Sequence, residues 1–268
     1  MAESFYFRLK KKYQKPVYNM SRRKSIIPSI FTMGNMLMGF VSILFSAKYL
    51  STYGNHDYLV IAGVLIFIGA IFDAFDGAIA RALNVESEIG MQLDSLADAV
   101  SYGIAPGVLA YQAYLHKLPE IFGISIGVAV AAVFPVCAVY RLARFNCEEG
   151  GQGFTGLPSP PAGIIVSIVP ALYSVDVFYF DELYFDVNIY VYVAFYVIIA
   201  LLMVSEIDYS KLFSVIWKKG KSARIIAAVV IICLLFLFKA WSIFGVAGIY
   251  VLWGILKYIY NFFKKGKK

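Results

Sequence analysis

Charge is scarce in this chain. Asp, Glu, Lys and Arg make up only 15% of its 268 residues, 60% are hydrophobic, and the mean hydropathy is +0.73. That composition excludes an ordinary soluble domain, whose outside must face water. Cysteine is scarce as well. Cys137, Cys147 and Cys233 have neither the spacing of a disulfide framework nor that of a thiolate metal site, and no role is assigned to them. There is no histidine cluster, and so no zinc-like ligand set. The first 25 residues are basic and aromatic, without the apolar core and small-residue cleavage site of a signal peptide.

Long apolar runs are what the chain does have. A membrane-crossing helix needs roughly 20 mostly apolar residues, and the sequence offers candidates at 27–50, 58–82, 92–115, 121–143, 160–179, 188–204, 223–239 and 242–261. The fold expected is therefore all-α, a polytopic membrane helix bundle of about eight spans. Eight spans put both termini on one side. On that count every basic residue except Lys48, Lys117 and Lys239 falls on the side of the termini, and the acidic loop 176–186 falls on the other. By the positive-inside rule the termini are cytoplasmic, and the chain lies in the cell membrane. The net charge of +7 thus reads as topology and not as nucleic-acid binding. Residues 1–26 interleave aromatics with cations and are expected to form an amphipathic helix lying in the membrane interface.

Four aspartates interrupt this pattern. Asp73 and Asp76 are i,i+3 neighbours near the end of the second run, and Asp94 and Asp98 are i,i+4 neighbours near the start of the third. The linker between the runs is short, so the helices are expected to be antiparallel neighbours whose carboxylates converge in one cleft at the cytoplasmic edge. Like charges that close, in a low dielectric, require protons or cations among them. Hard divalent ions with oxygen ligands fit best: Mg²⁺ or Mn²⁺, with Ca²⁺ open, and two such ions would hold a diphosphate. Gly77 leaves room for a ligand beside the backbone, and Arg81 lies one turn on, within reach of a phosphate. Aspartates in membrane helices also mark ion pathways, which keeps a divalent-cation transporter as a distant alternative, but a transport site belongs near the midplane. A pseudoenzyme or assembly role is disfavoured because no position of the pattern is degraded.

The segment Asp73-x2-Asp76-Gly77-x2-Ala80-Arg81-x8-Gly90-x3-Asp94-x3-Asp98 resembles the CDP-alcohol phosphotransferase motif at every specified position. Eight matches by accident have odds of about 10⁻⁸ in a chain this long. The resemblance implies transfer of a phosphatidyl-type group from a CDP-lipid to an alcohol, with release of CMP. It implies metal ligation by Asp73, Asp76 and Asp94 with Asp98 alongside, and Asp98 as general base on the acceptor hydroxyl. It also implies a nucleotide and diphosphate site at Asp76, Gly77 and Arg81, to which Thr32 and Asn35 on the first helix are added as candidates. The family core would span 27–204, with two further helices and a basic tail in 205–268, and the family's habit of dimerising implies a homodimer.

The blocks Arg141-Leu-Ala-Arg144-Phe-Asn146 and Phe154-Thr-Gly-Leu-Pro-Ser-Pro-Pro-Ala162 resemble the phosphatidylserine synthase branch of that family. This implies L-serine as acceptor, and CDP-diacylglycerol or CDP-archaeol as donor. An Arg fork suits the serine carboxylate, so Arg141, Arg144, Asn146 and Lys211 are the serine-binding candidates. Basic residues there equally allow glycerol 3-phosphate or an inositol phosphate as acceptor. The same arginines could instead anchor the helix among headgroups. Residues 147–159 could form a lid or a plain connector.

Overall fold

The computed structural model describes residues 22–52, 54–83, 85, 87–147, 156–172, 188–207, 209 and 253–254. Its helices are α1 (Arg22–Ser51), α2 (Asp57–Leu83), α3 (Glu88–Asp98), α4 (Ala105–Ala113), α5 (Ile126–Cys147), α6 (Ser159–Leu172) and α7 (Ile189–Val204). A π-helical turn, Ala99–Ile104, joins α3 to α4, so the chain runs from Glu88 to Ala113 as one composite helix. Each of the first six expected spans thus contains a helix, with 173–179 of the fifth outside the described residues. Three stretches, Ile26–Ser51, Asp57–Leu83 and Ile126–Cys147, are long and apolar enough to cross a membrane. The interfacial segment, the acidic loop, Lys211 and nearly all of the two C-terminal spans lie outside the described residues.

Local chemistry explains where the helices start and stop. Asn55 Oδ1 accepts the Asp57 N–H at 3.0 Å and opens α2. Ser87 caps α3 by accepting the Gly90 N–H at 3.0 Å. Asn188 does the same for α7 through the Tyr190 N–H at 2.9 Å. Pro106 has no N–H for the carbonyl four residues back, and there the ladder slips into the π register, with the Ala105 N–H donating to the Val100 carbonyl.

The fourth expected span differs from what is found. Hydropathy starts it at 121, but Glu120–Ile121 and Ile124–Ser125 form a small antiparallel hairpin and α5 starts at Ile126. Phe122 and Gly123 at its tip both have positive φ, 53° and 75°, which suits a two-residue hairpin turn and stops a helix. An apolar Ile-Phe-Gly-Ile run carries no such signal in its hydropathy.

The apolar side chains are sorted inside out. Ile30, Phe40, Phe67, Val136 and Leu201 stand exposed on helix surfaces, as suits a lipid-facing wall. The core lies between the helices, around Leu59, Ile66, Tyr102, Leu109, Phe134, Val166, Tyr192 and Tyr196. Two polar groups inside it bond across helices. Ser42 Oγ donates to the Ala62 carbonyl at 2.8 Å, and the Tyr196 hydroxyl donates to the Ala131 carbonyl at 2.7 Å.

The packing of α1 decides the shape of the site. It lies along α2 and also against α3, the π turn and α4. By contrast α2 and α3 scarcely touch; α2 meets the composite helix only farther along, at the π turn and α4. The two aspartate-bearing helices are therefore neighbours across a wedge and not a packed pair, with α1 as the common wall.

The wall is held by small residues. A Cβ on Gly39 would stand 2.6 Å from the Ser101 Cα, closer than atoms can approach. Gly39→Ala is therefore expected to force α1 off the π turn. The helix-propensity gain of alanine is smaller than the overpacking penalty, so a net loss of about 1–3 kcal/mol is expected, read as a lower unfolding midpoint in detergent.

Candidate active site

The wedge is lined by the four aspartates. Asp73, Asp76 and Asp94 each place a carboxylate oxygen within 4.8 Å of the other two. Asp98 is one helical turn beyond Asp94, only 7% exposed, and is held from behind by α1, with Asn35 Nδ2 donating to its Oδ1 at 3.2 Å. The arrangement is thus three plus one. Three carboxylates form a cluster in which Asp76 is buried and Asp73 and Asp94 are half-buried, and the fourth is buried beside it with its orientation set by Asn35.

Asn35 is fully buried, and its own position is set by the composite helix, since Ser101 Oγ donates to the Asn35 carbonyl at 2.9 Å. Thr32, one turn earlier on α1, donates to the Pro28 carbonyl at 3.2 Å and lies against the Asp76 carboxylate. Both α1 candidates therefore face the cluster. Gly77 follows Asp76, and the Arg81 guanidinium folds back over it, so that a Cβ at Gly77 would meet Arg81 Nη1 at 3.3 Å.

The candidates on α5 divide. Arg141 is 8% exposed; its Nη1 donates to Ser159 Oγ at 2.8 Å, and its charge acts on Asp98. Arg144 turns toward α7 and donates to the Val204 carbonyl at 3.3 Å. Asn146 Nδ2 donates to Ser95 Oγ at 2.9 Å, tying the end of α5 to α3 between Asp94 and Asp98. The structure thus brings Arg141 to the fourth aspartate, while Arg144 and Asn146 join helices around it.

Sequence reasoning missed Ser95, Ser101 and Ser159. A serine in an apolar helix carries no spacing signal, although Ser159 stands inside the Gly-Leu-Pro-Ser-Pro-Pro-Ala block.

The donor set fits a hard divalent cation. Asp76 Oδ2 and Asp94 Oδ1 are buried oxygens with no hydrogen-bond partner among the described residues. Buried acceptors left unpaired are costly, and carboxylates this close repel one another strongly away from water. A cation among them answers both problems at once. The ligand atoms are all oxygen, with no His or Cys in the group, which suits Mg²⁺, Mn²⁺ or Ca²⁺.

A family model for the CDP-alcohol phosphatidyltransferases matches residues 25–180, more than half of the chain and the whole of the wedge. The chain belongs to the CDP-alcohol phosphatidyltransferase family. Among curated relatives, a CDP-diacylglycerol–serine O-phosphatidyltransferase of Helicobacter pylori is 30% identical over 240 residues, covering 88% of this chain and 92% of the relative. The Bacillus subtilis protein of that name is 37% identical over 149 residues, 55% of this chain and 77% of its own length. An archaetidylserine synthase of Methanothermobacter thermautotrophicus is 32% identical over 190 residues, 69% of this chain and 70% of its own. With its three long apolar helices, this CDP-alcohol phosphatidyltransferase is an integral membrane protein.

Removing one charge from the cluster has opposite effects with and without a cation. Asp73→Asn relieves repulsion, so its unfolding midpoint in EDTA is expected to lie above wild type. The rise that Mn²⁺ produces in wild type is expected to disappear in the variant. Thermal unfolding in detergent, with EDTA or Mn²⁺, checks both signs.

Proposed function

We propose that this protein transfers the phosphatidyl-type group of a CDP-lipid to the hydroxyl of L-serine, releasing CMP. The observation that carries the proposal is the three-plus-one arrangement: a carboxylate cluster fit for cations, beside a fourth, oriented carboxylate that has an arginine next to it. The names of the relatives from Helicobacter, Bacillus and Methanothermobacter support serine as acceptor. They support either a diacylglycerol or an archaeol lipid as donor.

In this reading Asp73, Asp76 and Asp94, with Asp98 alongside, hold two divalent ions, Mg²⁺ or Mn²⁺ with Ca²⁺ as a further candidate. When bound, they neutralise charge on the phosphoryl oxygens, the main electrostatic demand of such a transfer. Thr32, Asn35, Gly77 and Arg81 line the donor site, where Gly77 leaves space at the backbone and Arg81 takes a phosphate.

Asp98 removes the proton from the serine hydroxyl. An alcohol is a poor nucleophile until a base takes that proton, and Asn35 orients the Asp98 carboxylate by bonding its Oδ1. The serine oxygen then bonds to the phosphorus that carries the lipid, and the bond from that phosphorus to CMP breaks. Arg141, held by Ser159, takes the serine carboxylate; Arg144, Asn146 and Lys211 complete the acceptor end.

The catalytic core is 27–204. The enzyme is a homodimer in the cell membrane with its site open to the cytoplasm.

Two measurements test this. Asp98→Asn is expected to lower kcat for CMP release by roughly 10²–10⁴-fold, the usual range for a lost general base, while labelled CDP-lipid still binds. CMP release with serine is expected to exceed that with glycerol 3-phosphate or inositol phosphate, and Arg141→Lys is expected to raise KM for serine about tenfold or more, because lysine cannot form the planar fork. Wild-type turnover by Asp98→Asn would end the assignment of the base. A preference for glycerol 3-phosphate would move the protein to another acceptor.

A further inference from the structure

The residues that lead into α6 are bolted to the far end of α7. The Gly156 N–H donates to the Ile207 carbonyl at 2.8 Å, and the Leu157 N–H donates to the Leu202 carbonyl at 2.9 Å. The last carbonyls of a helix have no partner within it, so this segment satisfies one of those left over in α7. Gly156 has a φ of 87°, and a Cβ there would run into the Met203 carbonyl. Glycine alone suits both that backbone and that approach. Leu157 is fully buried beside it.

Two residues farther on, Ser159 is fully buried as well. A serine at the start of a helix ordinarily accepts an N–H from two or three residues ahead. Here the residue two ahead is Pro161, which has none. The N–H three ahead, that of Ala162, donates to the Pro158 carbonyl at 3.1 Å. The Ser159 oxygen is thus released from capping its own helix, and it accepts from Arg141 Nη1 of α5 at 2.8 Å. The two prolines also fix their own φ, which stiffens the first turn behind the serine.

We propose that Ser159 is a positioning residue for acceptor binding: it fixes the plane of the Arg141 guanidinium, and residues 156–159 carry that constraint from the end of α7. The proposal rests on the reading of Arg141 as the group that takes the serine carboxylate. A guanidinium holds its five N–H donors in one plane, so a bond to one Nη sets where the others point. A free arginine side chain loses rotamer freedom when it binds. One oriented beforehand loses less, and the gain goes into affinity for the acceptor.

Initial rates of CMP release by the full-length protein in detergent, at varied serine and saturating CDP-lipid, test this. In Ser159→Ala the KM for serine is expected to rise roughly tenfold, the lower range for a lost hydrogen bond to a charged group, with a smaller change in kcat. Ser159→Cys keeps a similar volume with only a weak acceptor, and the same rise is expected there. In the Arg141→Lys background Ser159→Ala is expected to add little, because the two residues act as one unit. A role in packing alone would lower kcat and the unfolding midpoint without moving the KM for serine, and would overturn the proposal. Effects that multiply in the double variant would overturn it too. An unchanged KM for serine in Ser159→Ala and Ser159→Cys, with the rise still present in Arg141→Lys, removes the role of Ser159 and leaves the acceptor site standing. No rise in Arg141→Lys, or a wild-type preference for glycerol 3-phosphate, overturns both.

Discussion

Acidic oxygens crowded between apolar helices are the constraint to which the rest of this structure answers. Three carboxylates within 4.8 Å of one another would drive their helices apart if left uncompensated. The fold resists this by placing α1 against both α2 and the composite helix. The bond from Ser101 to the Asn35 carbonyl, and from Asn35 to Asp98, links wall and site in one chain of contacts. The side chains that face the cluster are thereby set before any ligand arrives, which is what electrostatic catalysis requires.

The wedge also explains the division of labour among the aspartates. Where α2 and α3 stand apart, Asp73, Asp76 and Asp94 come together from the two helices. Where the π turn brings the composite helix back to α2, the site closes over buried groups. Asp98 sits at the transition, buried and held by Asn35. Arg141 comes to the same place from α5, steadied by Ser159 at the start of α6.

Much of this is legible in the amino-acid sequence. Apolar runs of sufficient length mark six helices at nearly their observed positions, because hydropathy reports burial in lipid directly. The Asp73–Asp98 spacing marks the cluster, because i,i+3 and i,i+4 repeats place side chains on one helix face. The hairpin at 120–125 is not legible, since positive φ at Phe122 leaves no trace in an apolar run. Nor are the partners of Arg144 and Asn146, which bind the Val204 carbonyl and Ser95 from distant parts of the sequence.

The sequence by itself determined that the chain enters a membrane, which residue types carry the chemistry, and which helix faces they occupy. These follow from composition and from periodicities that act over a few residues. Only the tertiary structure decided that α2 and α3 open a wedge, that Asp98 is held by Asn35, and that Arg141 is tied to Ser159. Each of these depends on how closely helices far apart in sequence can approach, and that distance is set by side-chain volumes at the crossing points and not by any local pattern.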